Sequence, residues 1–288
     1  MSVRCIFSID VEDWFHILDL PSTPEPREWD QLPSRVESNF RRLLDLLAEN
    51  GVHATCFFLG WIARRFPHLV REAVAAGHEA ASHGLSHRLA YQMSPLDFYR
   101  DAALSRRVIA DAAGCEVAGY RASGFSVTGH TPWFFEDLAA AGYRYDSSVF
   151  PAPRAHGGMS GADCAPYKVE TPSGEMFEFP ITVVKILHHP FCFFGGGYLR
   201  MAPWWLIRRG AESVLHEERP VVFYIHPREI DPRQPRLPMS AIRRFKCYVN
   251  LGTTEEKVRH ILSTFSCTTF AGFLRDAHAA PPPMEAVR

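Results

Sequence analysis

Apolar and polar positions fall in short blocks along the chain. Val3 to Ile9 is an apolar run that meets acids at Asp10, Glu12 and Asp13, the length and composition of a buried strand. Val36, Phe40, Leu43, Leu44 and Leu47 then recur at helical spacing, behind a Ser34–Glu37 capping box and ahead of a stop at Gly51. The blocks that follow predict strands at His53–Leu59, about 78–82, Val117–Arg121 and Tyr143–Ser147. Between them they predict helices at Trp61–Ala76, from Ser94-Pro95 to about Ala113, and from Thr131-Pro132 to Gly142. Strand–helix alternation closed by Gly51, Gly77, Gly114 and Gly142 builds a parallel α/β layout.

The pattern changes at about 150–202, where Gly and Pro are frequent and Tyr167 to Thr182 reads as a hairpin about Pro172-Ser173-Gly174. We read an insertion here, placed to cover a substrate. Alternation resumes with a helix at Pro203–His216, a strand at Val221–His226, helical segments to about Leu262, and a last strand and helix to about Ala277. One domain over 1–278 is expected, with residues 279–288 a disordered Pro-rich tail.

Composition narrows the function. Hydrophobic residues make up 47% and charged residues 22%, which excludes a disordered or fibrous chain. Lys and Arg (31) balance Asp and Glu (32), so nucleic-acid binding, which needs a basic surplus, is not expected. The seven cysteines never stand as C-x-x-C, against a disulfide framework or zinc knot. The N-terminal apolar run is too short for a secretory leader, and no stretch approaches the roughly 18 apolar residues of a membrane span. A soluble, cytoplasmic protein is expected. Residues 198–209 mix aromatics with arginines, which reads first as a buried helix with a basic end and, as the alternative, as a segment in peripheral contact with the inner membrane.

In parallel α/β folds chemistry gathers at the carboxyl ends of strands. Four such ends carry reactive groups: Asp10-Val11-Glu12-Asp13, His83 with His87, Tyr120-Arg121, and Tyr224 to His226. On a helical turn His83 and His87 would point the same way, as one metal ion requires. Asp10 and Glu12 share one face of an extended strand and Asp13 takes the other. Three acids among Phe7, Ile9, Val11, Trp14 and Phe15 need positive compensation, which a metal and Arg121 would supply.

Six segments in order, FSIDVEDWF, ATCFFLGW (54–61), GHEAASHGLSH (77–87), GYRASGFSV (119–127), YRYDSSVFP (143–151) and VVFYIHPREIDPRQPR (221–236), resemble the NodB-type polysaccharide deacetylases, carbohydrate esterase family 4. The nearest subgroup belongs to exopolysaccharide and exosortase gene clusters. The resemblance implies a distorted (β/α) barrel of about seven strands and one divalent metal, zinc or in its place cobalt. It implies Asp10 as catalytic base, Arg121 as its partner, His226 as general acid and Asp146 as the carboxylate that tunes it. It also implies His83 and His87 as metal ligands, with Glu12 or Asp13 as the third. Ala122 and Ser123 would supply an oxyanion-binding backbone, and Trp14 would contact substrate.

Two departures stand out. Val11 fills the slot where the family has a second aspartate, and Ser123-Gly124 replaces its proline. The implied substrate is an acetylated amino-sugar glycan or its lipid-linked precursor. Phe191, Phe193, Phe194, Tyr198, Trp204 and Trp205 are candidates for stacking on sugar rings. Asp231, Arg233 and Arg236 are candidates for lining the cleft. His16, His188 and His189 read as surface or lining residues. A cyclic-ureide hydrolase of the allantoinase kind and a non-catalytic carbohydrate-binding domain are the competing readings.

Overall fold

The first strand has two faces with different surroundings. In β1 (Cys5–Val11), Cys5, Phe7, Ile9 and Val11 join the main apolar core, while Ile6 packs into a second core. Ser8 and Asp10, on the same side as Ile6, are fully buried and polar. The computed structural model describes residues 4–154, 157–187 and 189–278, so the 279–288 tail and His188 lie outside the described residues.

After β1 come α1 (Val36–Glu49), β2 (Thr55–Phe58), α2 (Gly60–Arg65), α3 (Pro67–Ala75), β3 (Glu79–Ser82), α4 (Pro95–Ala113), β4 (Gly119–Tyr120), α5 (Phe134–Ala140) and β5 (Tyr145–Asp146). The second half holds β6 (Tyr167–Thr171), β7 (Gly174–Glu178), β8 (Val184–Ile186), β9 (His189–Phe191), α6 (Gly196–Met201) and α7 (Trp204–His216). It ends with β10 (Val222–Ile225), α8 (Ala241–Tyr248), α9 (Thr254–Thr264), β11 (Cys267–Thr268) and α10 (Phe270–His278).

The sheet order is β10-β1-β2-β3-β4-β5-β7-β6, with β11 pairing the first residues of β1, below the point where β2 joins at Ser8. All pairs are parallel except β6–β7. The architecture is an α/β fold on a curled, mixed half-barrel sheet. It has nine strands where about seven were expected, because the β6–β7 hairpin does not lie over a cleft. Its strand β7 pairs with β5, Asp146 opposite Glu178, and so extends the sheet. A second hairpin, β8–β9, stands apart from the main sheet.

The helix predicted over Trp61–Ala76 is two helices. Phe66 leaves helical geometry (φ −131°, ψ 58°) ahead of Pro67, whose ring disfavours the α conformation in the residue before it. At α4 the expected signals hold: Ser94 accepts from the Asp97 N–H, and Gly114 closes the helix at φ +67°. Gly195 crosses β10 so closely that a Cβ there would collide with the Tyr224 ring, which only glycine avoids.

Candidate metal and catalytic centre

The acids at the end of β1 separate into three environments. Asp10 points into the half-barrel, where Arg121, itself fully buried, donates from Nη1 to its Oδ1 at 2.7 Å. The same guanidinium donates to Ser8 Oγ (2.9 Å), the Ser147 carbonyl (3.1 Å) and Ser147 Oγ (3.1 Å), and lies 4.1 Å from the Phe57 ring centroid. With that many anchors Arg121 cannot swing away, so it fixes the Asp10 carboxylate and leaves Oδ2 towards the cavity.

Glu12 meets the two histidines. Its Oε1 lies 3.0 Å from His83 Nε2 and 2.9 Å from His87 Nε2, and one atom from each of the three residues falls within 4.8 Å of the others. No helical turn brings the histidines together, contrary to the expectation from their spacing. Positive φ at Gly84 (77°) and His87 (56°) folds the loop after β3 back on itself. His83 Nδ1 lies 2.8 Å from the Arg121 carbonyl, so Nδ1 carries the proton and neutral His83 turns the lone pair of Nε2 towards Glu12. A lone pair against a carboxylate oxygen at that distance needs a positive charge between them, supplied by a proton or by a metal ion. Burial opposes charge on both groups, yet His87 and His226 hold Glu12 well below the usual carboxylate range, and Asp10 and Glu12 raise His83. Two imidazoles and one carboxylate suit a divalent ion such as zinc.

Asp13 is not part of this group. Its carboxylate accepts from Ser34 Oγ (2.5 Å) and from the backbone N–H groups of Trp14 (2.8 Å), Arg35 (3.1 Å) and Val36 (3.3 Å). It therefore caps α1 from outside the helix, and the expected Ser34–Glu37 box does not form. Ser34 donates to Asp13, while Glu37 pairs with His68 at 2.6 Å.

His226 follows β10 and faces the same cavity, its Nε2 3.8 Å from Asp10 Oδ2 and 3.6 Å from Glu12 Oε1. Behind it stands Glu229, not Asp146. The Glu229 Oε2 lies 3.1 Å from His226 Nδ1 and also accepts from the His226 backbone N–H. Glu229 is in turn paired with the buried Arg200. Burial, with Arg228 and His83 nearby, brings His226 down to about 4, against the pull of Glu12 and Asp10. Asp146 instead accepts from Ser148 Oγ (2.6 Å) and N–H (3.0 Å), and sits beside Glu178 in the sheet. Burial raises it to about 6 and pushes Glu178 up as well.

Most of the other candidate residues stand outside the cavity lining. Trp14 is buried, donates to the Pro33 carbonyl at 2.9 Å and packs on Phe15, away from the cavity. The Ala122 N–H is donated to Ser148 Oγ at 2.7 Å, so it is not free to bind an oxyanion. Ser123 donates its hydroxyl to the His83 carbonyl at 3.2 Å, and the residues after it that reach the cavity are Gly124 and Phe125. Asp231 is held by Arg35 and Asn39, and Arg236 lies over the Tyr248 ring; with Arg233 they stand outside the cavity lining. Of the aromatic candidates only Tyr198 lines the cavity, whose volume is about 200 Å³. His189 is exposed in β9.

His16 does line the cavity. Its Nδ1 accepts the Asp13 N–H at 3.0 Å, so Nε2 holds the proton, buried and without a hydrogen-bond partner among the described residues. The sequence signal for Glu229 was its place three residues after His226; for His16 there was none.

A family profile described as Polysaccharide deacetylase matches residues 28–145, and one described as Domain of unknown function (DUF3473) matches residues 147–275. A chitooligosaccharide deacetylase of Sinorhizobium fredii (strain NBRC 101917 / NGR234) is 49% identical over 45 residues, 16% of this chain and 21% of that protein. One from Bradyrhizobium sp. (strain ANU 289) is 33% identical over 70 residues, 24% of this chain and 32% of that protein. The matched stretches thus span only about a fifth and a third of those relatives.

Among solved structures, a Mycobacterium smegmatis protein described as a polysaccharide deacetylase superposes with a TM-score of 0.65 at 19% identity, over 100% of this chain and 96% of that one. Puue allantoinase gives 0.62 at 19% identity, over 98% and 92%. These likenesses concern the fold. Asp10 and Glu12 precede the first profile match, His83, His87 and Arg121 lie within it, and His226 and Glu229 lie within the second. Residues 28–145 are thus similar to the polysaccharide deacetylase profile and residues 147–275 to the DUF3473 profile, and the second stretch contributes His226 to the same cavity.

Proposed function

We propose that the protein is a metal-dependent hydrolase that removes N-acetyl groups from amino sugars of an exopolysaccharide or its lipid-linked precursor. The observation that carries this reading is the convergence, in one cavity, of the Glu12–His83–His87 group, the Arg121-anchored Asp10 and His226. Glu12, His83 and His87 would hold a divalent ion, which would supply Lewis-acid polarisation of an acyl carbonyl and a more acidic water. Asp10, with Oδ1 committed to Arg121, takes the proton of the attacking water on Oδ2.

His226 is neutral at rest, and its Nδ1–H on Glu229 leaves Nε2 as the acceptor. The 3.8 Å between that nitrogen and Asp10 Oδ2 lets the proton pass to Nε2 and on to the leaving nitrogen, while Glu229 steadies the imidazolium. One water is consumed, the amide C–N bond breaks, and the products are acetate and a free amine. The relatives named chitooligosaccharide deacetylase support an acetylated amino sugar as substrate.

The test is acetate release from a panel of acetylated amino sugars, oligomers and lipid-linked saccharides, with zinc, with cobalt and with chelator. Chelator-sensitive, zinc-restored release is expected. Ring opening of allantoin-like cyclic amides in its place would move the protein to the ureide class. Bound zinc with no hydrolysis of any acetylated glycan would make it a binding domain.

A further inference from the structure

Among the described residues, eight of the eleven exposed large apolar side chains lie between residues 186 and 245. Ile186, Leu187 and Phe191 belong to the β8–β9 hairpin, with Leu187 at its tip 86% exposed. Tyr198, Met201 and Trp205 come from α6 and the start of α7, and Ile242 and Phe245 from α8. Charge is segregated with them. Residues 179–211 and 232–254 hold nine of the 31 Lys and Arg and none of the 32 acids, leaving twenty-two cations against 32 acids elsewhere. A chain of net charge −1 is therefore strongly polarised.

The two acid-free segments pack together. Arg200 of α6 donates to the Lys246, Cys247 and Val249 carbonyls at 2.8–3.2 Å, and the Asn250 amide donates back to the Arg200 carbonyl at 3.1 Å. Together they border the catalytic cavity, which Tyr198, Arg243 and Lys246 line. Tyr198 also lines an apolar recess with Phe191, Phe193 and Met201, so apolar surface runs on from the cavity mouth.

We propose that this face docks on the surface of an anionic lipid bilayer, with Leu187 and Trp205 entering the interface and the exposed Lys185, Arg209, Arg244 and Lys246 meeting headgroups. Interfacial elements combine exposed aliphatic and aromatic groups with cations and lack acids. A nucleic acid would match the cations but leave Leu187 and Ile242 without a partner. A protein partner would have to supply the acids against these cations from its own surface, whereas a bilayer supplies anionic headgroups and an apolar interior together. Docking does not depend on the proposed reaction; presenting a lipid-linked saccharide to the cavity does.

The experiment is co-sedimentation of the full chain with phosphatidylcholine vesicles, with and without a third of phosphatidylglycerol. Binding at least about ten-fold tighter to the anionic vesicles, weakening with salt, is expected from several cations acting together. Leu187→Ser with Trp205→Ser, both at exposed positions, is expected to weaken that binding several-fold at an unchanged melting temperature. Arg244→Glu is expected to reduce the preference for anionic vesicles. Equal binding to the two vesicle types, or none, would overturn the proposal. So would a dimer in solution that Leu187→Ser dissolves, since that assigns the face to a second copy.

Discussion

Replacing Asp13 separates the two readings of the acidic run at the end of β1. Its carboxylate accepts three backbone N–H groups and the Ser34 hydroxyl, and two of those N–H groups, of Arg35 and Val36, open α1. Losing a helix cap costs about 1–2 kcal/mol, and each buried donor left unpaired costs about 1–3 kcal/mol more. Burial raises the Asp13 pKa, so part of the gain from its charge is already offset in the folded protein. Asp13→Ala should therefore cost about 3 kcal/mol. For a chain of this size that is a fall in melting temperature of about 6–12 °C. Asp13→Asn keeps one acceptor oxygen and should recover about half of it. Thermal unfolding followed by circular dichroism measures the loss, and elemental analysis of the same samples measures metal. Both variants should retain the wild-type zinc content. An Asp13→Asn protein that melts like the wild type but loses zinc would refute this reasoning and return Asp13 to the metal.

The remaining tests concern the centre and its surroundings. His83→Ala and Glu12→Ala should both lose zinc along with activity, measured by elemental analysis after dialysis. Asp10→Asn should lower acetate release by about 10²–10⁴-fold with zinc retained. Glu229→Gln should lower kcat by at least about ten-fold with less effect on KM, because the amide no longer steadies a charged His226; Asp146→Asn should not reproduce this split. Glu178→Gln relieves a buried carboxyl pair. Both pKa values are raised on folding, so the pair's contribution is intact below about pH 4 and is lost as pH rises through about 6. The variant should out-melt the wild type at pH 8 by an amount that vanishes near pH 4.

The parts of the centre that were legible in the sequence are those tied to strand ends. A parallel sheet carries the carboxyl end of each strand to one rim, so Asp10, His83, Arg121 and His226 converge once the strands are placed. What the chain does not display is which polar group faces which across that rim. Asp146 and Glu229 are both carboxylates near strand ends, and only the path of the chain after β10 puts Glu229 behind His226. The resemblance implied Trp14 as a substrate contact, but the turn after β1 sends it into a core with Phe15 and Trp29. The break between α2 and α3 was written in Pro67, a local signal that the helical periodicity on either side masks. The β6–β7 hairpin was found, but its pairing with β5 depends on register, which an exposed alternating hairpin leaves open.

The run Asp10-Val11-Glu12-Asp13 shows why the third ligand position is decided by what compensates each charge. Asp10 is held by a permanent cation, Arg121, through a 2.7 Å bond. Asp13 is held by backbone N–H groups at the start of α1, which carry fixed partial positive charge. Both compensations are built into the fold and need nothing from solution. Glu12 is equally buried, yet its close partners are only imidazoles, which are positive only when protonated. One of them, His83, spends its Nδ1 proton on the Arg121 carbonyl and so offers a lone pair in its neutral form. Of the three acids, Glu12 alone is left for a charge that arrives from outside the chain. Substituting Glu12 by Gln should therefore abolish zinc uptake, which the same change at Asp10 or Asp13 should leave intact.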